Sequence, residues 1–501
     1  MPQYPDCMNY ENIKISRSID RALVDLRSIM GNTMDLNIME VQVSGHRCAV
    51  VTIENMTSTE TMAQLLFRPL TELRLSDDSK PQEVVDFLTK HSLMSSERKT
   101  CYNYGDAVTQ LFSGFALVLV DGIASGQLYG IQGYDKRSID EPTSDLDVFG
   151  GKDGFIEVIR TNVSLVRRRL KTPCLRFELM QAGTKSKTDI CIAYMADRCS
   201  PELIDSVRKR LSSIKLETVF SSGYVMPYLA KSSKSIFTDV QTTDRPDTFA
   251  AKLCEGKVGV LIDGTPFTLL IPSFFIESFN TMDDYATRPF YATYIRFVKY
   301  LSFMLAVMLP GVYVALATFH SETFSHKLLL HLVVSEETTP YPLVFEVVLI
   351  TLMYEILKEA GIRLPKTVGG AVSIVGGLII GDAAVNSGLV SAPILIIIGL
   401  TATSSFVIPS LNQQTSLLRM IMIIAGGVAG LYGISLITAA LLANACALSD
   451  NGIPYTAPVS PFFERGFKDI LMRIGFKKLE KTQTLVTDFK AETDNKSDMG
   501  E

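Results

Sequence analysis

The sequence predicts an α/β soluble N-terminal region of two lobes followed by an α-helical polytopic transmembrane domain. Charged residues crowd into the first 290 of the 501 residues, where short strands alternate with helices. From about residue 294 to residue 446, long apolar runs follow one another with few charges between them. An apolar stretch of about 18 or more residues, at a rise of ~1.5 Å per residue, is long enough to cross a hydrocarbon core of roughly 30 Å. The two halves of the chain therefore predict a soluble region delivered to a membrane.

The first lobe, residues 1–140, begins with a helix. Apolar side chains recur at helical spacing from Ile13 to Ile29, and Gly31 and Asn32 end the pattern. Alternating apolar residues then predict strands around a turn at Ser44. The predicted elements are helices at 12–35, 57–66, 81–89 and 104–112, and strands at 36–43, 48–53, 115–121 and 127–133.

The second lobe, residues 153–285, follows a polar boundary at 135–152 that lacks apolar periodicity. The Asp263-Gly264 pair between two apolar runs predicts a hairpin over residues 258–272. The other predicted elements are helices at 155–170, 201–214 and 246–253, and strands at 175–181 and 188–194. The first helix ends in a basic run, Arg167 to Lys171, which indicates a solvated helix end, with a phosphate site as the alternative.

The transmembrane domain occupies residues 293–446. Apolar runs predict about four spans, at 300–319, 368–385, 390–411 and 417–446. Basic residues precede the first run and follow the last, so the positive-inside rule places both termini in the cytoplasm. The N-terminus shows no apolar core of a signal peptide, which agrees with that orientation. Two cytoplasmic ends require an even number of crossings.

A fifth apolar stretch, residues 342–360, makes that number odd and carries several charges, among them Glu346 and Glu355. A charge at membrane depth costs about 2.5–3.5 kcal/mol on insertion scales unless it faces protein or water. We therefore predict a re-entrant or pore helix here, with an interfacial amphipathic helix and an ordinary fifth span as alternatives. Glu346, Glu355 and Asp382 are the candidates for an ion path, since acidic rings favour cations. For Asp382, structural pairing within the helices is the alternative.

Small residues and the polar C-terminal part complete this half of the chain. Pairs with GxxxG spacing, Gly377 with Gly381 and Gly426 with Gly430, predict close helix packing, either within the subunit or to a neighbour. Residues 461–481 combine aromatic and aliphatic side chains with basic ones, which predicts a juxtamembrane amphipathic helix. Residues 482–501 are polar and predict a disordered tail.

No motif predicts an enzyme, a cofactor or a metal site. The sequence lacks nucleotide-binding glycine patterns and the spacing of catalytic triads. A net charge of −5 leaves no basic surface typical of nucleic-acid binding. Eight cysteines without CxxC spacing predict reduced thiols. The histidines at 320, 326 and 331 match no ligand pair on one helix face.

Five sequence blocks stand in order along the chain. They are GGKDGFIEVIRTNVSLVRRRLKTP (150–173), RPDTFAAKLCEGKVGVLIDGTPFTLLIP (245–272), MLPGVYVALATFH (308–320), EILKEAGIRLPK (355–366) and IVGGLIIGDAAVNSGLVS (374–391). Together they resemble the A subunit of the GerA family of spore germination proteins. The stage V sporulation protein AF type, a close relative, shares many of them.

This resemblance implies a subunit of a germinant receptor in the inner membrane of a spore. Such A subunits are expected to form a homo-oligomer whose membrane part is a nutrient-gated ion channel for monovalent cations. The implied partners are a transporter-like B subunit, a lipoprotein C subunit and membrane lipid. A non-conducting, membrane-anchored sensing scaffold and a transporter component are the alternative functions.

Overall fold

The computed structural model describes most of the chain between residues 10 and 488. The gaps lie at 32, 74–79, 91–96, 134–140, 143–146, 148, 232–234, 338, 365–376, 378–380, 463–468, 470–471, 480–485 and 487. Most of the predicted span at 368–385 and most of the predicted tail therefore lie outside the described residues. The expectation of disorder is wrong at Val486, which is 2% exposed and donates a backbone hydrogen bond to Glu255 at 2.9 Å.

The first lobe is a five-stranded antiparallel sheet between two layers of helices. Alternate residues of its second strand point to opposite faces, so Ala49 and Val51 pack in one apolar cluster and Cys48 and Val50 in another. The strands are β1 (Leu36–Val43), β2 (His46–Ile53), β3 (Arg98–Cys101), β4 (Phe115–Val120) and β5 (Gly126–Gly130), in the order β1-β2-β4-β5-β3. The helices are α1 (Ile19–Met30), α2 (Thr59–Met62), α3 (Arg68–Glu72), α4 (Pro81–Lys90) and α5 (Tyr104–Leu111), with a π turn at Ala63–Phe67.

The second lobe repeats this topology. Its strands are β6 (Leu175–Ala182), β7 (Thr188–Met195), β8 (Gln241–Thr243), β9 (Val258–Ile262) and β10 (Thr268–Ile271), in the order β6-β7-β9-β10-β8. Its helices are α6 (Ile159–Arg169), α7 (Pro201–Ser212), α8 (Ser222–Leu229) and α9 (Pro246–Cys254). Both lobes read helix, two strands, helices, strand, helix, two strands, and the strand orders are equivalent. The predicted hairpin at 258–272 is confirmed as β9 and β10.

A buried arginine joins the two lobes. The guanidinium of Arg167, at the end of α6, lies between the rings of Phe112 and Phe177, with centroids at 4.8 and 4.9 Å. Its Nε donates to Asp35 at 2.7 Å, and neither side chain is more than 2% exposed. The expectation of a fully solvated basic run is wrong at this residue, because Asp35 of the first lobe compensates the charge.

The expectation of reduced thiols throughout is also corrected, since Cys174 is disulfide-bonded.

The second half of the chain is helical. Phe275–Phe279 is a 3-10 helix, and α10 (Asp283–Ala286) leads into the long helices. Of the described helices, two are long and apolar enough to cross a membrane, at Pro289–Phe319 and Pro409–Ala447. The remaining elements are α11 (Pro289–Phe319), α12 (His326–Glu337), α13 (Leu343–Arg363), α14 (Ala392–Phe406), α15 (Asn412–Ala447), the strand pair β11 (Ser449–Asp450) and β12 (Ile453–Pro454), and α16 (Phe476–Leu479), with 3-10 turns at Ser321–Thr323 and Pro409–Leu411.

The run predicted as one span at 417–446 is folded in two. Gly430 interrupts α15 with φ 61° and ψ −147°, a conformation outside the helical region. The first half of α15 runs beside α11 in the same direction, since Arg419 contacts Ala306 and Gly430 contacts Phe319. The second half returns to the lobes, where Asn444 accepts a hydrogen bond from Ser235 at 2.9 Å.

The other helices run between the same two ends. α13 begins near the fold of α15, where Val344 contacts Gly427, and ends near its start, where Lys358 donates to Ser416 at 2.8 Å. α14 runs parallel to α13, because its Ser405 lies 3.4 Å from the hydroxyl of Tyr354.

The chain after α15 contacts the lobe side of the molecule. Arg210 of the second lobe forms an ion pair with Asp450, which is 1% exposed. Within the described part of the predicted helix at 461–481, only Phe476–Leu479 is helical, and residues 461, 462 and 469 lie in turns. The helix is therefore shorter than predicted there.

Candidate functional site

The carboxylate of Glu346 is enclosed by protein. Glu346 lies in the first turn of α13 and is 0% exposed. It accepts a hydrogen bond from the hydroxyl of Thr339 and one from the backbone N–H of Ser391 at 3.2 Å. Ser391 immediately precedes α14, so the carboxylate lies at the positive end of that helix dipole. Within a single chain, Glu346 faces the interior and not an open path.

The carboxylate of Glu355 is compensated by two cations. Lys358, one turn later on α13, approaches it at 2.6 Å, and Arg419 of α15 approaches it at 3.3 Å. Arg419 is 1% exposed and also donates from Nε to the carbonyl of Ala306 at 3.0 Å. That carbonyl lacks its usual helical partner because Pro310, four residues on, has no N–H. Arg419 therefore ties α11, α13 and α15 together.

The three acidic candidates do not meet. Glu346 and Glu355 lie on opposite faces of α13, since nine residues at ~100° per residue bring the chain half a turn out of phase. Asp382 is exposed, within the helical residues 381–386. The structure thus separates one buried carboxylate, one ion-paired carboxylate and one exposed carboxylate.

The four candidate glycines differ in their surroundings. A Cβ on Gly426 would collide with the carbonyl of Gly311, and a Cβ on Gly311 would lie 2.5 Å from the carbonyl of Met422, so α11 and α15 touch through their backbones. Gly430 forms the fold in α15. A Cβ on Gly381 would meet Leu395 at 3.4 Å, and one on Gly377 would meet no atom of the described residues within 4 Å.

A second buried charge cluster joins the lobes to the helices. Glu277, in the 3-10 helix Phe275–Phe279, pairs with Lys252 at 2.8 Å and with Lys257, which is 0% exposed. Burial alone would raise the pKa of Glu277, but the two ammonium groups outweigh burial and lower that pKa to about 2. The carboxylate is therefore ionised at neutral pH and holds the connecting turn against the second sheet.

The start of α11 carries a third cluster. Arg296 is 0% exposed and pairs with Asp284 at 2.7 Å and with Asp469 at 3.3 Å. Lys299 pairs with Asp284 at 3.3 Å. Arg296 and Lys299 are the basic residues that precede the first predicted span. In the structure their ion pairs connect α10, α11 and the chain after α15.

The sequence reasoning missed Arg419, although a signal was present. Arg419 is the one charged residue in the apolar run at 417–446, and an isolated charge at membrane depth needs a partner. Pro310 has no N–H, so it predicts a carbonyl without a helical partner four residues earlier in α11. The hydrogen bond from Arg419 to that carbonyl joins residues more than 100 positions apart, and neither signal predicts it alone.

The comparisons with known proteins agree on one family. The family model "Bacillus/Clostridium GerA spore germination protein" matches residues 24–485. "Spore germination protein KA" of Bacillus subtilis (strain 168) is 34% identical over 474 residues, which cover 94% of this chain and 87% of that relative. "Uncharacterized membrane protein YfkQ" of the same organism is 34% identical over 462 residues, covering 92% of this chain and 89% of that protein.

Among solved structures, the N-terminal domain of the A subunit of the Bacillus megaterium spore germinant receptor GerK3 matches 52% of this chain and 97% of its own length. The identity is 27% and the TM-score is 0.43. The family model covers nearly the whole chain, and the two relatives named above are each 34% identical over more than 90% of it. The chain therefore belongs to the GerA family of spore germination proteins.

Proposed function

We propose that this chain is the membrane subunit of a spore germinant receptor and oligomerises into a nutrient-gated ion channel. Opening of the channel releases monovalent cations and starts germination. The observation that carries the proposal is the charge inside the helical half, where Glu346, Glu355, Lys358 and Arg419 lie among apolar helices. Ionisable groups at membrane depth are costly, and they persist chiefly on ion or substrate paths.

The proposed membrane domain has six crossings. α11, α13, α14 and the two halves of α15 run between the same two ends, and the span predicted at 368–385, which lies mostly outside the described residues, is kept as the sixth. At ~1.5 Å per residue, α13 is about 31 Å long and the halves of α15 are about 27 and 25 Å long, which suits a hydrocarbon core of roughly 30 Å. Six crossings replace the expected four spans plus a re-entrant helix and leave both termini in the cytoplasm.

The surface of the helical half supports contact with lipid and with neighbouring subunits. Large apolar side chains are exposed along the helices, among them Phe297 (65%), Ile396 (72%) and Val428 (75%). Apolar surface of this extent is typical of membrane or subunit contacts. We place the assembly in the inner spore membrane, as a homo-oligomer with a transporter-like B subunit and a lipoprotein C subunit.

The candidate ion-path residues would act in different ways. Asp382 is exposed and can face a shared path in an oligomer. Glu355 reaches an ion only when Lys358 or Arg419 moves away from it. Glu346 reaches an ion only through the interior of one subunit. These differences make the three carboxylates separable by mutation.

The test is cation release from spores, and conductance of the reconstituted complex, at equal protein level. Glu346→Gln, Glu355→Gln and Asp382→Asn are compared with the parent. Glu359→Gln is the matched control, because Glu359 lies on the same helix in an exposed pair with Arg363, with side chains 57% and 77% exposed. A changed release rate or selectivity in the site variants, with an unchanged control, supports the channel.

Unchanged flux in all three site variants contradicts an ion path through these residues. Germination signalling that persists without any conductance of the complex favours the non-conducting scaffold. Uptake of a solute in place of ion conductance favours a transporter component.

A further inference from the structure

A cluster of oxygen atoms lies at the end of the helical region away from the lobes. The hydroxyl of Thr339 lies 2.9 Å from the backbone carbonyl of Glu336 in α12 and contacts the carboxylate of Glu346 in α13, so these residues lie together. In the described part of the chain, neither carboxylate forms an ion pair with a lysine or arginine. Two carboxylates in an apolar setting need a counter-ion or a proton.

Three buried oxygen atoms of this cluster, one of them on Glu336 itself, have no hydrogen-bond partner among the described residues. They are Oη of Tyr313, Oγ of Ser391 and Oε1 of Glu336. Tyr313 is 7% exposed and Ser391 is 3% exposed, so water does not reach them freely. Buried polar atoms in proteins are almost always satisfied, and three unsatisfied ones around one point indicate a missing ligand.

The contacts place these atoms around Glu346. Tyr313 packs in one buried group with Leu332 of α12 and with Val347, the residue after Glu346. The backbone of Ser391 donates to Glu346 at 3.2 Å, which keeps its hydroxyl nearby. The Thr339 hydroxyl contacts the other oxygen of Glu346.

An apolar wall encloses the cluster. Tyr313 belongs to a buried group with Leu332, Val347, Val390 and Ile394, which come from α11, α12, α13 and the start of α14. The wall lowers the local dielectric and so increases both the repulsion between the carboxylates and the attraction of a cation. The groups that bind and the groups that exclude water come from the same four helices.

We infer that Glu336, Thr339, Glu346, Tyr313 and Ser391 bind one hard cation, an alkali or alkaline-earth ion. All five supply oxygen ligands, which such ions prefer, and the two carboxylates supply the charge. The described residues contain no group of three or more His, Cys, Asp or Glu side chains placed for a metal ion. The hydroxyl ligands are therefore essential to this site, and transition metals are poor occupants of it.

The inference deepens the proposed function, because the site would hold an ion on the side of the bundle away from the cytoplasmic lobes. Binding itself does not depend on conductance. Cation binding without conductance would contradict the proposed function and support the cation site. Conductance without cation binding would contradict only the cation site.

The experiment measures cation binding by the purified full chain in lipid nanodiscs. KCl, NaCl, MgCl2 and CaCl2 are titrated separately against a choline chloride background at constant ionic strength. Isothermal titration calorimetry gives the affinity, and the thermal unfolding midpoint gives an independent readout. We expect saturable binding of one ion per chain for at least one of the four salts.

The variants test the assignment of ligands. Tyr313→Phe and Glu336→Gln keep the shape of the side chain and should weaken binding by at least about tenfold, because even indirect partners of metal ligands change affinity by 10–100-fold. Ser391→Ala should also weaken cation binding. This variant provides a second test if Glu336→Gln does not fold. Glu337→Gln is the matched control, since Glu337 is the exposed neighbour on the same helix and should bind as the parent does.

Three results overturn the inference. The first is that none of the four cations binds the parent saturably. The second is that Tyr313→Phe and Ser391→Ala bind with the affinity of the parent. The third is that the midpoint responds to pH and not to cations in the parent, which would mean that the two carboxylates share a proton.

Discussion

The fold in α15 gives the sharpest test of the helical arrangement. Gly430 has φ 61° and ψ −147°, a region that is essentially restricted to glycine. Gly430→Ala is expected to cost about 1–3 kcal/mol of folding free energy for the backbone conformation. The added Cβ would also lie 3.2 Å from Phe319, which adds crowding at the end of α11. The reduced backbone freedom of the unfolded chain, worth about 0.4–1 kcal/mol for Gly→Ala, offsets part of this cost.

The measurement is the resistance of the purified full chain to unfolding by SDS in mixed micelles, followed by circular dichroism. Gly399→Ala is the matched control, because Gly399 lies inside α14 and a Cβ there meets no atom within 4 Å. We expect Gly430→Ala to unfold at lower SDS than the parent and Gly399→Ala to unfold at equal or higher SDS. A Gly430→Ala chain as resistant as the Gly399→Ala chain would refute the folded helix.

Two further predictions concern the ion pairs. Arg419→Met leaves the Ala306 carbonyl without a partner and Glu355 with one fewer cation, so it should cost about 1–3 kcal/mol. Arg363→Met removes an exposed pair and should cost within about 1 kcal/mol. Equal SDS resistance of the two variants would contradict the role of Arg419. The pKa of Glu277 is lowered from 4.5 to about 2, so its ion pairs stabilise the fold above pH 4.5 and lose that effect as the pH falls toward 2. The thermal unfolding midpoint of Glu277→Gln should therefore fall less than that of the parent between pH 4.5 and about pH 2. The exposed control Glu217→Gln should show the same fall as the parent. An equally steep fall in Glu277→Gln would contradict the role of the cluster.

Local patterns were sufficient for most elements of the two lobes and for the family, whereas the short edge strands β3 and β8 and the helix α8 were not predicted. The hairpin of β9 and β10 follows from Asp263-Gly264 between apolar runs, and both strands are present where that pattern predicts them. The long helix α11 likewise contains the first predicted run, 300–319, and begins earlier, at Pro289. These features depend on residues close together in the chain, so the sequence carries them directly. The GerA family is confirmed for the same reason, since its blocks are contiguous stretches.

The duplication of the lobes was visible only in three dimensions. Their elements and strand orders are equivalent, whereas the side chains that form the two cores differ. A sheet topology constrains which positions are apolar and leaves their identity open, because similar volumes fill a core in many ways. Arg167 is a related case, since its basic neighbours suggested solvent and its partner Asp35 lies in the other lobe.

The sequence by itself determined that charged residues lie among apolar helices and that Glu346 and Glu355 point in opposite directions from one helix. Only the tertiary structure decided their partners: Thr339 and Ser391 for Glu346, and Lys358 and Arg419 for Glu355. It also decided that one apolar run makes two passes, through the conformation of Gly430. Periodicity fixes the direction in which a side chain leaves its own helix, but the group that it meets depends on contacts between distant parts of the chain.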